Sequence, residues 1–285
     1  MVVARASIPH VSRLFDSSSP VNIVDTPYVH VVQDGGLPVE TYESLQAEFP
    51  SLIDIVGRDG KYGNNEAVRM SAHQVLTENR VSAQWQDFFA YHTSADYWQR
   101  IVQIFAPFFR REFPDLEERV GRLYEDWRVI PRGYSGEADI RLDCQFVMNT
   151  PVKQFSSVKA PHVDLRDKIF SSLYYFRTEE DRTNGGDLEL YAWRRKPRFI
   201  KHRALHTDIA LAKTVAYAPN RFVSFVNSEK AIHGVSPRDV TDIPRRYVNM
   251  VAELPISAFR PQQISYWRKL WLSKDAKLSA NNDRY

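Results

Sequence analysis

The 285-residue chain has 38 lysines and arginines against 35 aspartates and glutamates, a net charge of +3, so whole-chain attraction to nucleic acid is not expected. Its 43% hydrophobic and 13% aromatic residues favour a folded core over disorder. A single cysteine, Cys144, excludes an intramolecular disulfide framework and a cysteine-rich zinc site, leaving histidine and carboxylate to hold any metal.

The first 20 residues lack the apolar run of a signal peptide, and no stretch reaches the roughly 18 apolar residues of a spanning helix. A cytoplasmic protein without membrane contact is the expectation. Leu37-Pro38 opens a short helix through TYESLQAEF that Pro50 closes. Ser71 and Ser82 are candidate N-caps for helices over 72–80 and 83–91. Ser94 precedes Tyr97, Trp98, Ile101, Ile104, Phe105, Phe108 and Phe109, an apolar stripe at helical spacing. Pro107 is expected to kink or end that helix.

Near residue 130 the pattern turns to strands, at 144–150, 169–176, 187–193, 214–218, 221–227 and 246–254. These runs are rich in β-branched and aromatic residues, with Asn184-Gly185-Gly186 and Pro219-Asn220 as the clearest turns. Gly185 and Gly186 read as a turn needing positive φ, and Cys144 as a small buried strand residue. No repeat or flexible linker divides the chain. The expectation is one α+β domain over 1–285: a mainly helical part (1–130) buttressing a sandwich or barrel (131–255), then a C-terminal extension (256–285).

The motif PHVDLRD puts His162 and Asp164 at i and i+2, on the same side of an extended segment. His233 follows the strand RFVSFVN. Two histidines and one carboxylate on one face leave coordination positions open, the arrangement of non-haem Fe(II) oxygenases. A bare H-x-D is a weak signal, and the chain has a second, His206-Thr207-Asp208. Only 27 residues separate His206 from His233, against 71 from His162, which leaves room for four strands and their loops. His162, Asp164 and His233 are therefore the metal candidates, and His206 and Asp208 read as a polar loop.

In order along residues 141–254, PHVD, SSLYYF, NGGDLELY, APNRFVSFVNSEKAIHGVSP and RRYVNMVAEL together resemble the 2-oxoglutarate/Fe(II) oxygenase superfamily, in its prolyl-hydroxylase-like branch. The resemblance implies a double-stranded β-helix (jelly-roll) core and an Fe(II) dioxygenase. Such an enzyme uses 2-oxoglutarate and O2 to hydroxylate a C–H bond, releasing succinate and CO2. It also implies a basic residue opening the last core strand to pair with the distal carboxylate of 2-oxoglutarate. That role is assigned to Arg246, 13 residues after His233, with Arg245 facing the other way. In some branches a hydroxyl residue two places on assists the arginine, but Val248 stands there. Tyr175 matches a position that bonds the same carboxylate, and Asn149 is a further cosubstrate candidate. Asp164 speaks against a halogenase, in which a small residue replaces the carboxylate. The substrate is a small molecule or a peptide or protein side chain, and the oligomeric state is open. Two alternatives are a jelly-roll metalloenzyme that does not use 2-oxoglutarate and an inactive binding or scaffold protein. The run RRKPRFIKHR (194–203) reads as a solvated loop or as a collar attracting an anionic substrate, stiffened by Pro197 and anchored by Phe199 and Ile200.

Overall fold

Among the described residues, serine caps start four of the six helices of the first half. The computed structural model describes residues 13–15, 21–57, 61–200 and 202–260. Most of the segment read for a signal peptide, residues 261–285 of the extension, and Lys201 lie outside these. The helices are α1 (Val39–Ala47), α2 (Leu52–Val56), α3 (Ala72–Thr77), α4 (Ala83–His92), α5 (Ala95–Glu112) and α6 (Leu116–Val120). Ser71 caps α3 in a capping box: its Oγ accepts from the Gln74 amide while the Gln74 side chain accepts from the Ser71 amide. Ser82 and Ser94 accept from the amides of Trp85 and Tyr97 in the same way.

Helix α5 runs through Pro107 instead of ending there. An interior proline costs about 3 kcal/mol. Tyr97, Trp98, Ile101, Phe105 and Phe109 are all buried on one face of α5, and their packing offsets that cost.

The strands are β1 (Ile23–Val24), β2 (His30–Asp34), β3 (Ala67–Ser71), β4 (Val129–Pro131), β5 (Ile140–Asn149), β6 (Lys168–Tyr175), β7 (Leu188–Trp193), β8 (Ile209–Val215), β9 (Arg221–Val226), β10 (His233–Val235) and β11 (Arg245–Glu253). Among the described residues eight strands form a large sheet in the order β1-β2-β9-β6-β11-β5-β3, with β4 alongside β5. A smaller sheet has the order β10-β7-β8. All pairings are antiparallel except β4 with β5. The architecture is mixed α/β around a large antiparallel sheet. Reading residues 1–130 as mainly helical leaves out β1, β2 and β3, which complete both ends of that sheet.

The large sheet separates two apolar layers. Cys144, Phe146, Tyr174, Phe222, Val248 and Met250 pack with Trp85, Phe89, Trp98 and Phe105 of the helices. On the other face, Val147, Tyr175, Phe225 and Tyr247 pack with Leu188, Leu190 and Val215 of the small sheet. Strand alternation assigns each residue of β11 to one layer or the other. Among the described residues no helix is long and apolar enough to cross a membrane.

Candidate metal centre and the cavity around it

His162 and His233 are 71 residues apart, and backbone pairing brings them together. The His162 amide donates to the His233 carbonyl and the His233 amide to the His162 carbonyl, both at 2.9 Å. Their rings lie 4.3 Å apart between centroids. Each ring directs Nδ1 at a backbone carbonyl two residues back, Ala160 at 2.9 Å and Ala231 at 3.0 Å. A carbonyl can only accept, so Nδ1 carries the proton and both Nε2 lone pairs face inward. Asp164 Oδ1 lies 3.6 Å from His162 Nε2 and 3.8 Å from His233 Nε2. Ser171 Oγ donates to the other carboxylate oxygen at 2.7 Å, orienting Asp164.

The electrostatics favour metal-binding protonation states for Asp164 and His233. Burial raises the Asp164 carboxyl, but the His162 hydrogen bond and the charges of His233, Lys168 and His162 outweigh it and hold the group well below 3.8. Burial, then His162, lower His233 to about 4, against the pull of Asp164. One carboxylate and two imidazoles on one face suit a divalent cation with open positions left for other ligands. Among the described residues this is the one group of three His, Cys, Asp or Glu side chains with ligand atoms within 4.8 Å of one another. His206 and Asp208 sit apart from it, in a 3-10 turn before β8.

The triad lines a cavity of about 790 Å³ together with Arg245, Tyr247, Asn249, Leu173 and Gln145 of the large sheet. The expectation that Arg246 faces this site is corrected. Arg246 points to the helical side, its guanidinium 5.1 Å from the Phe49 ring and its Nε donating to the Phe176 carbonyl. Arg245 points inward, 2% exposed, its guanidinium 4.7–5.0 Å from the rings of Tyr175, Tyr217 and Tyr247. The signal was in the alternation of RRYVNMVAEL. Arg245 shares its side of the strand with Tyr247 and Asn249, whereas Arg246 shares the apolar side with Val248, Met250 and Ala252. Two places after Arg245 stands Tyr247, a hydroxyl residue where the Arg246 register had offered only Val248.

Arg245 Nε donates to the Gly186 carbonyl at 2.7 Å and Nη1 to Asn149 Oδ1 at 3.2 Å. That carbonyl is delivered by the Gly185-Gly186 turn, both residues at positive φ. Arg245 Nη2, Asn149 Nδ2 and the Tyr175 hydroxyl are buried without a hydrogen-bond partner. Burial pushes the Tyr175 hydroxyl up to about 12, against the Arg245 charge, so it stays protonated. Tyr175 and Asn149 thus flank Arg245, and all three present an unsatisfied donor.

Of the basic run, Arg194, Arg195, Lys196 and Arg198 are exposed and do not line the cavity, whereas His202 does. Phe199 is fully buried against Val163, Ile209 and Ile232, which ties the run to the body.

No family model matches the chain, and no curated protein does. Solved structures similar to it include a prolyl-4-hydroxylase from Pseudomonas putida, at 12% identity and a TM-score of 0.40 over 79% of this chain and 92% of that one. A prolyl hydroxylase from Trichoplax adhaerens, in complex with a hypoxia inducible factor peptide fragment, matches at 11% identity and 0.41, over 79% and 83%. A prolyl 4-hydroxylase from Phytophthora capsici matches at 14% identity and 0.41, over 87% and 68%. With every one of these scores below 0.5, what the site does has to come from its own side chains.

Proposed function

We propose that the chain is an Fe(II)- and 2-oxoglutarate-dependent dioxygenase, with its two sheets forming a jelly-roll core. The observation that carries this is the set of buried donors without partners beside the triad: Arg245 Nη2, Asn149 Nδ2 and the Tyr175 hydroxyl. A buried donor left unsatisfied costs about 1–3 kcal/mol, more when charged. An acceptor-only ligand such as a carboxylate would satisfy these donors together, and the planar guanidinium suits both of its oxygens. 2-Oxoglutarate has a carboxylate at its far end for Arg245 and a 2-oxo acid end for the metal.

In this reading His162 and His233 would hold iron through Nε2 and Asp164 through Oδ1. Bound iron, 2-oxoglutarate and O2 would supply the oxidising power to hydroxylate a substrate C–H bond, with release of succinate and CO2. The protein's own part is ligation, orientation and exclusion of water. Ser171 fixes the carboxylate, the Ala160 and Ala231 carbonyls fix the imidazoles, and the Tyr175, Tyr217 and Tyr247 rings shield Arg245 from solvent. The substrate is a small molecule or a peptide side chain; the cavity falls within the roughly 300–1,000 Å³ of drug-sized ligand sites.

Titration with 2-oxoglutarate tests the reading. Arg245→Ala should weaken binding about 30-fold or more, since removing one partner of a buried charge pair costs roughly 2–5 kcal/mol. Arg246→Ala should change it much less. The reverse ranking would move the carboxylate site to Arg246, and no binding of 2-oxoglutarate by the wild-type protein would favour a jelly-roll metalloenzyme that does not use it.

A further inference from the structure

Three chain segments close the open side of the cavity next to the triad, and they are stitched to one another. The loop 151–161 is laced to the strand bearing His233: Ser157 Oγ donates to the Val235 carbonyl at 2.5 Å, and the Val235 amide donates to the Lys159 carbonyl at 3.0 Å. The loop leading into β3 is tied to that segment in turn. Asn64 Oδ1 accepts from the amides of Lys153 and Gln154, and Asn65 Nδ2 donates to the Ser156 carbonyl at 2.9 Å. The end of the basic run forms the third side, with the Val163 amide donating to the His202 carbonyl and Arg203 in backbone register with His162.

Each segment brings a cation: Arg69 on β3, Lys159, and Arg203. Arg69 and Lys159 line the cavity directly. Burial lowers the Lys159 ammonium below its ordinary value against an upward pull from Asp164, and the Arg69, Arg203 and Lys168 charges lower it further.

The other cations of the cavity wall are already engaged. Arg132 pairs with Asp143 and Glu253, Lys168 with Glu253, and Arg245 bonds Gly186 and Asn149. The acids are engaged as well: Asp164 belongs to the triad, and Glu66 accepts the Gly63 amide of its own loop at 2.6 Å. Among the described residues no carboxylate lies within ion-pair distance of Arg69, Lys159 or Arg203. Like charges held together on pinned backbone repel each other, and an anion entering between them would relieve that repulsion.

We propose that the substrate carries an oxyanion, a carboxylate or a phosphate, and that Arg69 and Lys159 grip it at the cavity mouth with Arg203 adding to the field. This names the substrate class of the oxygenase reading and rests on that reading for the reaction. The arrangement gives direction as well as affinity: Arg245 takes the cosubstrate's anionic end, and Arg69 with Lys159 takes the substrate's, on the side nearer solvent.

The test is calorimetric titration of the whole chain, loaded with Mn(II) and N-oxalylglycine to fill the cosubstrate site, using inorganic phosphate and acetate as separate probes. At least one anion should bind, more weakly as salt rises, and Arg69→Gln/Lys159→Gln should weaken it about tenfold or more. Arg194→Gln/Arg195→Gln, outside the cavity, should leave binding within about twofold. Tighter phosphate than acetate would assign a phosphorylated substrate, and the reverse a carboxylated one. Undiminished N-oxalylglycine affinity in the Arg69→Gln/Lys159→Gln protein shows that the fold and inner site are intact. The proposal is overturned if neither anion binds the wild-type protein, or if binding survives the double substitution. N-Oxalylglycine that fails to bind the wild-type protein would instead sink the 2-oxoglutarate reading, and the anion titrations repeated without it would still decide the mouth site.

Discussion

Arg245 and Arg246 are adjacent, chemically identical and half-buried or more, yet they serve different layers of the molecule. The two H-x-D motifs pose the same problem of choice. His162→Ala or His233→Ala should lose stoichiometric Fe(II) after anaerobic reconstitution, with the circular dichroism unchanged, because the ligands line a cavity and not the packed core. His206→Ala should keep its iron, and loss of iron there alone would move the site to the second motif. His92 carries a different residue-scale prediction. Its Nδ1 faces the Phe88 carbonyl at 2.7 Å and its Nε2 accepts the Leu14 amide, and burial lowers it to about 3 from 6.5. Above about pH 6.5 neither folded nor unfolded His92 is charged, and stability is fully present. Below that value only the unfolded chain takes the proton, so stability falls by about 1.4 kcal/mol per unit towards pH 3. In His92→Gln the loss of unfolding free energy between pH 7 and pH 5, read by urea denaturation, should be smaller by roughly 2 kcal/mol.

Secondary structure was most legible where a local signal ran along one element. The caps at Ser71, Ser82 and Ser94 each start a helix, and the strand runs match β5, β6, β7, β9 and β11, whereas the run 214–218 overlaps β8 only at Thr214 and Val215. Strands β1, β2 and β3 escaped because they are two to five residues long, and β2 and β3 owe their shape to partners far along the chain, β9 and β5. Pro107 misled because a helix-breaking cost read locally was weighed against packing that only the fold supplies. The glycine turn shows how tightly elements meet. A Cβ on Gly185 would lie 1.8 Å from the Pro237 carbonyl oxygen, at φ +81°. Gly121, at φ +80° after α6, has nothing within 4 Å of its would-be Cβ. Gly121→Ala should therefore cost about 1–2 kcal/mol, the left-handed penalty alone, and Gly185→Ala about 3 kcal/mol or more as overpacking adds to it. Equal shifts in thermal midpoint would contradict this.

Across the whole molecule, long connections are locked by buried polar contacts. Asp181 and Arg238 are both nearly fully buried and meet at 2.6 Å, joining the loop after β6 to the loop before β11. Arg238 also donates to the Ile243 carbonyl, two residues before Arg245. Asp181→Ala leaves a buried guanidinium without its carboxylate and should cost about 3–5 kcal/mol in chemical denaturation. Asp181→Leu with Arg238→Met should recover much of it, since replacing both charges removes the desolvation penalty. A double variant as unstable as the single one would mean the pair contributes mainly by shape.

What the sequence by itself determined was the chemistry on offer: three candidate ligand residues of the right type, capped helices, alternating strands, and a set of arginines and lysines. These follow from residue types and from neighbours a few positions apart. The tertiary structure decided which of the duplicates is used. Antiparallel pairing brings the His162 motif, and not the His206 one, beside His233, and strand register turns Arg245 to the cavity and Arg246 to the helices. Which cations keep a carboxylate partner was likewise a tertiary matter, because Arg132 finds Glu253 across 121 positions while, among the described residues, no carboxylate lies within ion-pair distance of Arg69 or Lys159. Ligation and charge pairing act over a few ångströms of space, and only the folded chain says which distant positions those ångströms join.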